Sequence, residues 1–451
     1  MGKLLLRFFL LLLITTISIL IYLSYFGIKT DKFDNLIKRK ANEAHQHVKL
    51  EFQKTKIHLN PKELNLAVKL QNPKILIKNN EINLSKLDIF LSIKSFFSSD
   101  FLLNKAEISF FENDIKDLTK ITRLFLPRII NKQLSKIFVK GKLEGEFVIP
   151  FEVDGSLGKD YGFSGKISNA SINLTKEFSI KDMTTEINYG KEIENEGFTA
   201  VIKKGTLLDL KLTDSIINLK REENKTKVKS VLRTNGALNF SQIKKISSLF
   251  ALNITPFKDI NCIADLRTNI NFDFDKKFKI KNLSYSMAGD ISYLKIHTNE
   301  KKIIKKYLPE YDPIIILKDT NIKLTNSKSD QTAELNGLIK IKTKFDSFKI
   351  EEKYNYNKKS FDIDGIVNLT NSRVKIEKLN YNKNQGEKSE LSFDVNFVLH
   401  KYYNIRNLEF LANKNKIYLS NLKLNKNFET VDFKKIEVKT FSNEIKNNDF
   451  L

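Results

Sequence analysis

The sequence predicts a mainly β protein: an N-terminal transmembrane helix, then a long, curled, mostly antiparallel β-sheet forming an open apolar groove, with a few short helices. Three observations predict it. An uncharged apolar run opens the chain. Period-two alternation of apolar and polar residues fills most of the rest. A stepped apolar pattern recurs along the strands, together with glycines inside them.

The opening run covers 8–28 and holds no charged residue. As a helix it would be about 31 Å long, matching a bilayer core of about 30 Å. Lys3 and Arg7 precede it, and Tyr22, Tyr25 and Phe26 stand near its far end, where amphipathic rings favour the interface. The run is too long for a signal-peptide core, and Ser24-Tyr25-Phe26 is a poor cleavage site, so an uncleaved single-pass anchor is expected. Lys29, Lys32, Lys38, Arg39 and Lys40 follow it. A literal charge count holds the body in the cytoplasm, but long domains translocate largely regardless of such charges.

After the anchor, Phe33, Leu36, Ile37, Ala41, Ala44 and Val48 predict a short amphipathic helix over 31–47. Val48, Leu50 and Phe52 then alternate with charged residues, as do Leu64, Leu66, Val68 and Leu70 before the Asn72-Pro73 break. Ile115, Leu118, Ile121, Leu124 and Phe125 predict a helix over 114–136, capped by Asn113 or Asp114. Ile243, Ile246, Leu249 and Phe250 predict a third over 241–250, and a last turn falls near 300–308. Everything else reads as strand, most clearly Cys262 to Phe274 and Leu391 to Leu399. The domains expected are the anchor at 1–30, a strand-and-helix region at 31–136 and a repetitive β region at 137–451.

The stepped pattern puts apolar residues at i, i+2, i+5 and i+7. It occurs as Ile82, Leu84, Leu87, Ile89; as Phe278, Ile280, Leu283, Tyr285; and as Val374, Ile376, Leu379, Tyr381. Tyr403–Phe410 and 417–424 repeat it, and Phe178, Ile180 and Met183 carry part of it. The odd step reverses the faces of an ideal strand, so a bulge or a tight bend is required there. Glycines at Gly165, Gly236, Gly337 and Gly365 mark further bends. Ile82, Phe178, Phe278 and Val374 are spaced at intervals near one hundred residues, suggesting a long repeat. An array of ordinary β-sandwiches is the competing architecture.

Few helices are available to cover so many strands, so the sheet must fold on itself or leave a trough. A trough lined by Leu, Ile and Phe would suit acyl chains, since each buried CH₂ contributes about 0.8 kcal/mol. The candidate lining residues are Ile82, Leu84, Leu87, Ile89, Phe178, Ile180, Phe278, Ile280, Leu283, Tyr285, Val374, Ile376, Leu379, Tyr381, Leu391, Phe393, Val395 and Phe397.

The net charge is +24, yet only nine of the 77 basic residues are Arg. Dispersed Lys argues for a solvated surface or anionic lipid, and against a nucleic-acid partner, which Arg forks and a clustered patch would serve better. One cysteine, Cys262, excludes an internal disulfide and a thiolate zinc site. His45-x-His47 lacks nearby carboxylate or thiol ligands, and Asp362-x-Asp364-Gly365 lacks the downstream ligands of a calcium loop. No nucleophile elbow, metalloprotease helix or phosphate loop occurs, so no catalytic residue, metal or cofactor is expected.

The N-terminal order resembles the AsmA-like family, which includes TamB- and YhdP-type bacterial envelope proteins. The likeness rests on the anchor, Phe33-Asp-Asn-Leu-Ile37, Val48-Lys-Leu-Glu-Phe52 and Ile57-His-Leu59-Asn-Pro61. It continues through Leu64-Asn-Leu66-Ala-Val68-Lys-Leu70, Asn72-Pro73, Ile82-Asn-Leu84-Ser-Lys-Leu87-Asp-Ile89 and Phe101-Leu-Leu103 to Ile108. The segment 3–112 also looks like the chorein-type start of bridge lipid-transfer proteins, and the later stepped and glycine-bearing strands look like the family's repeats. The resemblance implies a body in the periplasm, anchored in the inner membrane. It also implies a hydrophobic β-groove for phospholipid, transport toward or upkeep of the outer membrane, and envelope proteins as partners. The lysines after the anchor depart from that orientation, and the chain is short for a full bridge, which implies a longer protein or a completing partner. The alternative is a membrane-tethered β-sandwich scaffold that assists outer-membrane protein assembly.

Overall fold

The structure is a computed structural model. It describes residues 2–44, 48–61, 63, 65–77, 80–92, 103–122, 137–152, 158, 161–174, 177–190, 197–222, 224–249, 257–275, 279–298, 302–341, 344–442 and 445–450. Phe278, Leu64, Phe101, Phe250, His45, His47 and the 123–136 half of the second predicted helix lie outside the described residues. Two compact units divide the chain: Met1–Gly205 with Asn218–Arg221, and Thr206–Ile217 with Glu222–Leu451. Both are mainly antiparallel β-sheet with few helices, as the alternation predicts.

The N-terminal unit starts with the helix Gly2–Tyr25, whose stretch Arg7–Tyr25 is long and apolar enough to cross a membrane. The helix stops three residues before the uncharged run does. At Gly27 the backbone turns left-handed (φ +65°), with the amides of Phe26 and Gly27 both directed at the Tyr22 carbonyl. A Cβ there would stand 2.5 Å from the Ile57 carbonyl oxygen. The strand Ile28–Thr30 follows at once and pairs with Thr55–Asn60, so the helix is joined to the sheet without a linker.

The predicted 31–47 helix forms over Asp34–Ala44. Buried Thr55 donates a hydrogen bond to Asp34, and Phe33 and Ile37 bury against Leu50, Phe52, Leu70, Leu84 and Leu91. From Thr55–Asn60 the sheet meanders through Asn65–Leu70, Asn80–Ser92, Leu103–Asp114, Phe138–Pro150, Gly162–Asn173 and Ser179–Gly190. The helix Ile115–Thr122 is capped by Asp114, whose carboxylate accepts from the Lys116 amide at 2.7 Å.

The stepped pattern resolves into real irregularities, and the structure adds their marker. At Asn169, Asp182, Asp214, Asn282, Asp319 and Asn421 a short polar residue adopts positive φ, between +42° and +54°. Register shifts coincide with Asn169, Asp182, Asn282 and Asp319. Asn and Asp tolerate this conformation because their side chains satisfy local backbone groups. At four of these the next residue turns inward: Ala170, Ser215 and Thr320 are fully buried and Met183 nearly so, whereas Leu283 stays exposed and Leu422 half-buried. The copy at 374–381 is different. It is a tight bend in which a 3₁₀ turn, Glu377–Leu379, joins Val374–Ile376 to Tyr381–Lys383 as a separate hairpin.

The C-terminal unit is a long meander. Lys225–Leu238, Phe257–Asp275, Ile280–Thr298, Ile314–Asn326, Asp330–Lys340, Phe345–Asn355 and Ser360–Asn368 pair in succession. Ser389–Val398, Tyr402–Ala412, Asn415–Asn425, Lys435–Ser442 and Ile445–Phe450 continue it. The helix Phe240–Leu249 has a reciprocal cap. The Gln242 amide donates to Asn239 Oδ1 at 3.1 Å, and the Asn239 amide donates to Gln242 Oε1 at 2.8 Å. A one-turn helix, Lys302–Tyr307, sits near the expected 300–308.

Candidate functional site

Registers place side chains, because opposed residues in an antiparallel pair share a face. One transverse line in the C-terminal unit runs Leu266, Gly289, Ile322, Leu335, Ile350, Gly365, Phe393, Leu408, Leu419, Ile436. The next runs Thr268, Met287, Leu324, Ala333, Glu352, Ile363, Val395, Ile405, Leu422. A third ends in rings: Tyr354, Phe361, Phe397, Tyr403. Together they form an apolar band that crosses the strands.

Ile322, Leu335, Ile350, Ile363, Phe393, Val395, Ile405 and Leu408 are half-buried, so the band keeps part of its area open to solvent. At Gly365 a Cβ would stand 2.9 Å from the Phe393 ring, so the ring lies over bare backbone. At Gly337 the approach of Thr320 leaves no room for any side chain. Cys262 belongs to the same face, opposite Leu238 and Leu294, and burial pushes its thiol up to about 11.

The opposite face is charged. Lys323 pairs with Glu334 at 3.2 Å, Lys349 with Glu351 at 2.7 Å, and Arg406 reaches Asp362 at 3.0 Å and Asp394 at 2.6 Å. An open depression of about 200 Å³ lies mostly on this side, lined by Lys349, Glu351, Asp364, Ile366, Ser392 and Asn407 among others. Burial, with Glu351 and Asp394 nearby, raises the Asp364 carboxyl above its usual range.

Glu352 breaks the apolar band. Its cross-strand neighbours are Ala333 and Ile363, and its own strand offers Ile350 and Tyr354 on that face. Among the described residues no hydrogen bond or ion pair engages its carboxylate, and burial alone raises its pKa.

One part of the band is covered. The 374–383 hairpin packs Val374 and Tyr381 against Phe410, Ala412, Ile417 and Val438, with the Tyr381 and Phe410 rings 6.1 Å apart and edge-on. Burial pushes the Tyr381 hydroxyl up to about 12. Lys383 anchors the hairpin. Its fully buried ammonium donates to the carbonyls of Leu369 (2.6 Å), Thr370 (3.0 Å) and Ser372 (2.7 Å), which uses all three of its donors. Burial lowers its pKa despite Asp346 and Glu387 nearby.

The predicted lining residues are therefore dispersed. Leu84 and Leu87 are buried in one cluster with Phe33 and Ile37, with Ile82 and Ile89 packed against that cluster. Phe178 and Ile180 are buried in the N-terminal unit. Ile280 and Leu283 are exposed, at 57% and 37%, while Tyr285 is buried. Val374, Ile376, Leu379 and Tyr381 belong to the covering hairpin and its cluster. Leu391, Phe393, Val395 and Phe397 stand together, half-buried, on the band. Ile322, Leu335, Ile350, Ile363 and Leu408 were not among the candidates. Each alternates with polar neighbours in its own strand, but only the registers align them with Phe393 and Val395.

Among the described residues no group of three or more His, Cys, Asp or Glu is placed to hold a metal ion. Comparison with protein-family models, with curated proteins and with solved structures finds no match to this chain.

Proposed function

We propose that this chain is a non-enzymatic, membrane-anchored lipid carrier that holds phospholipid acyl chains along the apolar band of its C-terminal unit. The observation that carries the reading is that band: register-aligned apolar residues on successive strands, half-buried, backed by a charged face. A sixteen-carbon chain laid on it could gain up to ~12 kcal/mol before ordering costs, without any single binding residue. In this reading the sheet curls into a groove, and lipid moves across strands because the contacts are non-directional. The resemblance of 3–112 to AsmA-like proteins supports an inner-membrane anchor, a periplasmic body and a role in lipid supply to, or upkeep of, the outer membrane. The helix Arg7–Tyr25 fits such an anchor.

A photo-reactive side chain at Leu335 or Phe393 tests the proposal, with Lys323 on the opposite face as control. Phospholipid adducts from the first two and none from the third are expected. Protein adducts alone at Leu335 and Phe393 would favour the tethered scaffold for outer-membrane protein assembly instead.

A further inference from the structure

The two ends of the C-terminal strands are finished differently. At one end stand the helices Phe240–Leu249 and Lys302–Tyr307 and the 374–383 hairpin. At the other, short turns join the strands, and the registers set three of them side by side: Ser360 opposes Val398, and Tyr402 opposes Asn425. Each turn exposes a large apolar side chain beside lysine. Tyr356 stands by Lys358 and Lys359, Leu399 and Tyr402 by Lys401, and Phe428 by Lys426. Leu399 is 52% exposed and Phe428 65%.

Two further observations bear on this rim. Each turn forces a non-glycine residue into the left-handed region: Lys359 at +53°, His400 at +60° and Phe428 at +63°. Glycine would adopt that conformation freely, and a bulky residue there is strained. The rings also continue from the rim into the apolar band. Centroids are 5.2 Å apart for Tyr356–Tyr354, 4.5 Å for Tyr354–Phe361, 5.0 Å for Phe361–Phe397, 5.7 Å for Phe397–Tyr403 and 4.5 Å for Tyr403–Phe428. The acidic groups here have other partners: Asp330 accepts from Ser329 and Asn355, Glu429 from Asn425, and Asp432 pairs with Lys423.

Resting on the lipid-carrier reading, we infer that this rim docks on the headgroup layer of an anionic bilayer, opening the apolar band onto the membrane. Tyr356, Tyr402 and Phe428 enter the interface, where aromatic rings are favoured, and the lysines meet lipid phosphates. The alternation of rings with lysines fits that layer, which is apolar on one side and anionic on the other. The helix Arg7–Tyr25, inserted in a membrane, keeps such surfaces close at hand.

The test uses the full chain held by its helix in nanodiscs of zwitterionic lipid, offered free vesicles with or without phosphatidylglycerol. Wild type should capture the anionic vesicles, and salt should weaken the capture. Changing Lys358, Lys359, Lys401 and Lys426 together to Gln should lower capture by roughly 600-fold, at roughly fivefold per lysine near the surface. Changing Tyr356, Leu399 and Phe428 to Ser should also lower it, and Leu399→Ser alone should do so with the thermal midpoint unchanged, because that side chain is 52% exposed and stands outside the run of rings. Undiminished capture by the lysine variant, or equal capture of zwitterionic vesicles, would overturn the inference. Phospholipid co-purifying with the chain is counted in parallel. If it is absent while capture persists, the carrier reading fails and the docking rim stands; if it persists while capture is absent, the reverse holds.

Discussion

In the N-terminal unit Leu84, Leu87 and Leu91 are sealed in one cluster with Phe33 and Ile37, whereas in the C-terminal unit Phe393, Val395 and Leu408 stay half-open. Both faces come from antiparallel strands that alternate apolar and polar residues. What differs is cover: in the first, Phe33 and Ile37 join the strands in one buried cluster and the helix Ile115–Thr122 packs on the sheet, while the second has the 374–383 hairpin over one part of its band. A buried row and a half-open row of the same residue types should respond differently to truncation, so the comparison can be broken by experiment.

The largest effect belongs to the sealed side. Leu91, 1% exposed, should cost about 3 kcal/mol when changed to Ala, while Phe393→Ala should cost about 1 kcal/mol or less, read from denaturant midpoints. Equal losses would mean the two faces are equally closed. Next comes the hairpin cover. Lys383→Met leaves three carbonyls without their donor and should cost about 2 kcal/mol, with faster amide exchange at 374–383. Unchanged exchange there would show that the lysine does not hold the cover.

Glu352 gives a smaller effect with a definite sign. Its folded pKa lies above the unfolded value, so its contribution to stability is present below the unfolded pKa and is lost as pH rises through the folded one. Glu352→Gln should therefore stabilise the chain at neutral pH, by on the order of 1 kcal/mol, and flatten that pH dependence. A variant no more stable than wild type at neutral pH would show that water or an unseen partner already satisfies the carboxylate. Smallest is the charged face, where Lys323→Gln should shift stability by less than about 0.5 kcal/mol, because its pair with Glu334 is exposed.

Much of the fold was legible in the sequence. The apolar run located the helix, and Asp114 capped its helix as one of two named candidates. The odd step in Ile280–Leu283 and Ile180–Met183 announced a bulge because one extra residue must restore the face. The local marker went unread: Asn or Asp just before the inward residue supplies the left-handed backbone that the bulge needs. The 374–381 copy shows the limit, since the same spacing serves a hairpin once Asn380 takes φ +46°. The site was less legible. Alternation tells which residues share a face of their own strand, but the choice between Leu84, sealed, and Phe393, half-open, depends on what packs above them. Helix placement and register decide that, and both are non-local.

The most direct test of the central claim counts phospholipid on the purified chain. Leu335, Phe393 and Leu408 are changed together to Gln, which keeps the strands and makes the band polar. The account predicts that wild type carries phospholipid and that this variant, folded by its circular dichroism, carries little or none. Wild type without lipid, or a variant that retains the full complement, would contradict it.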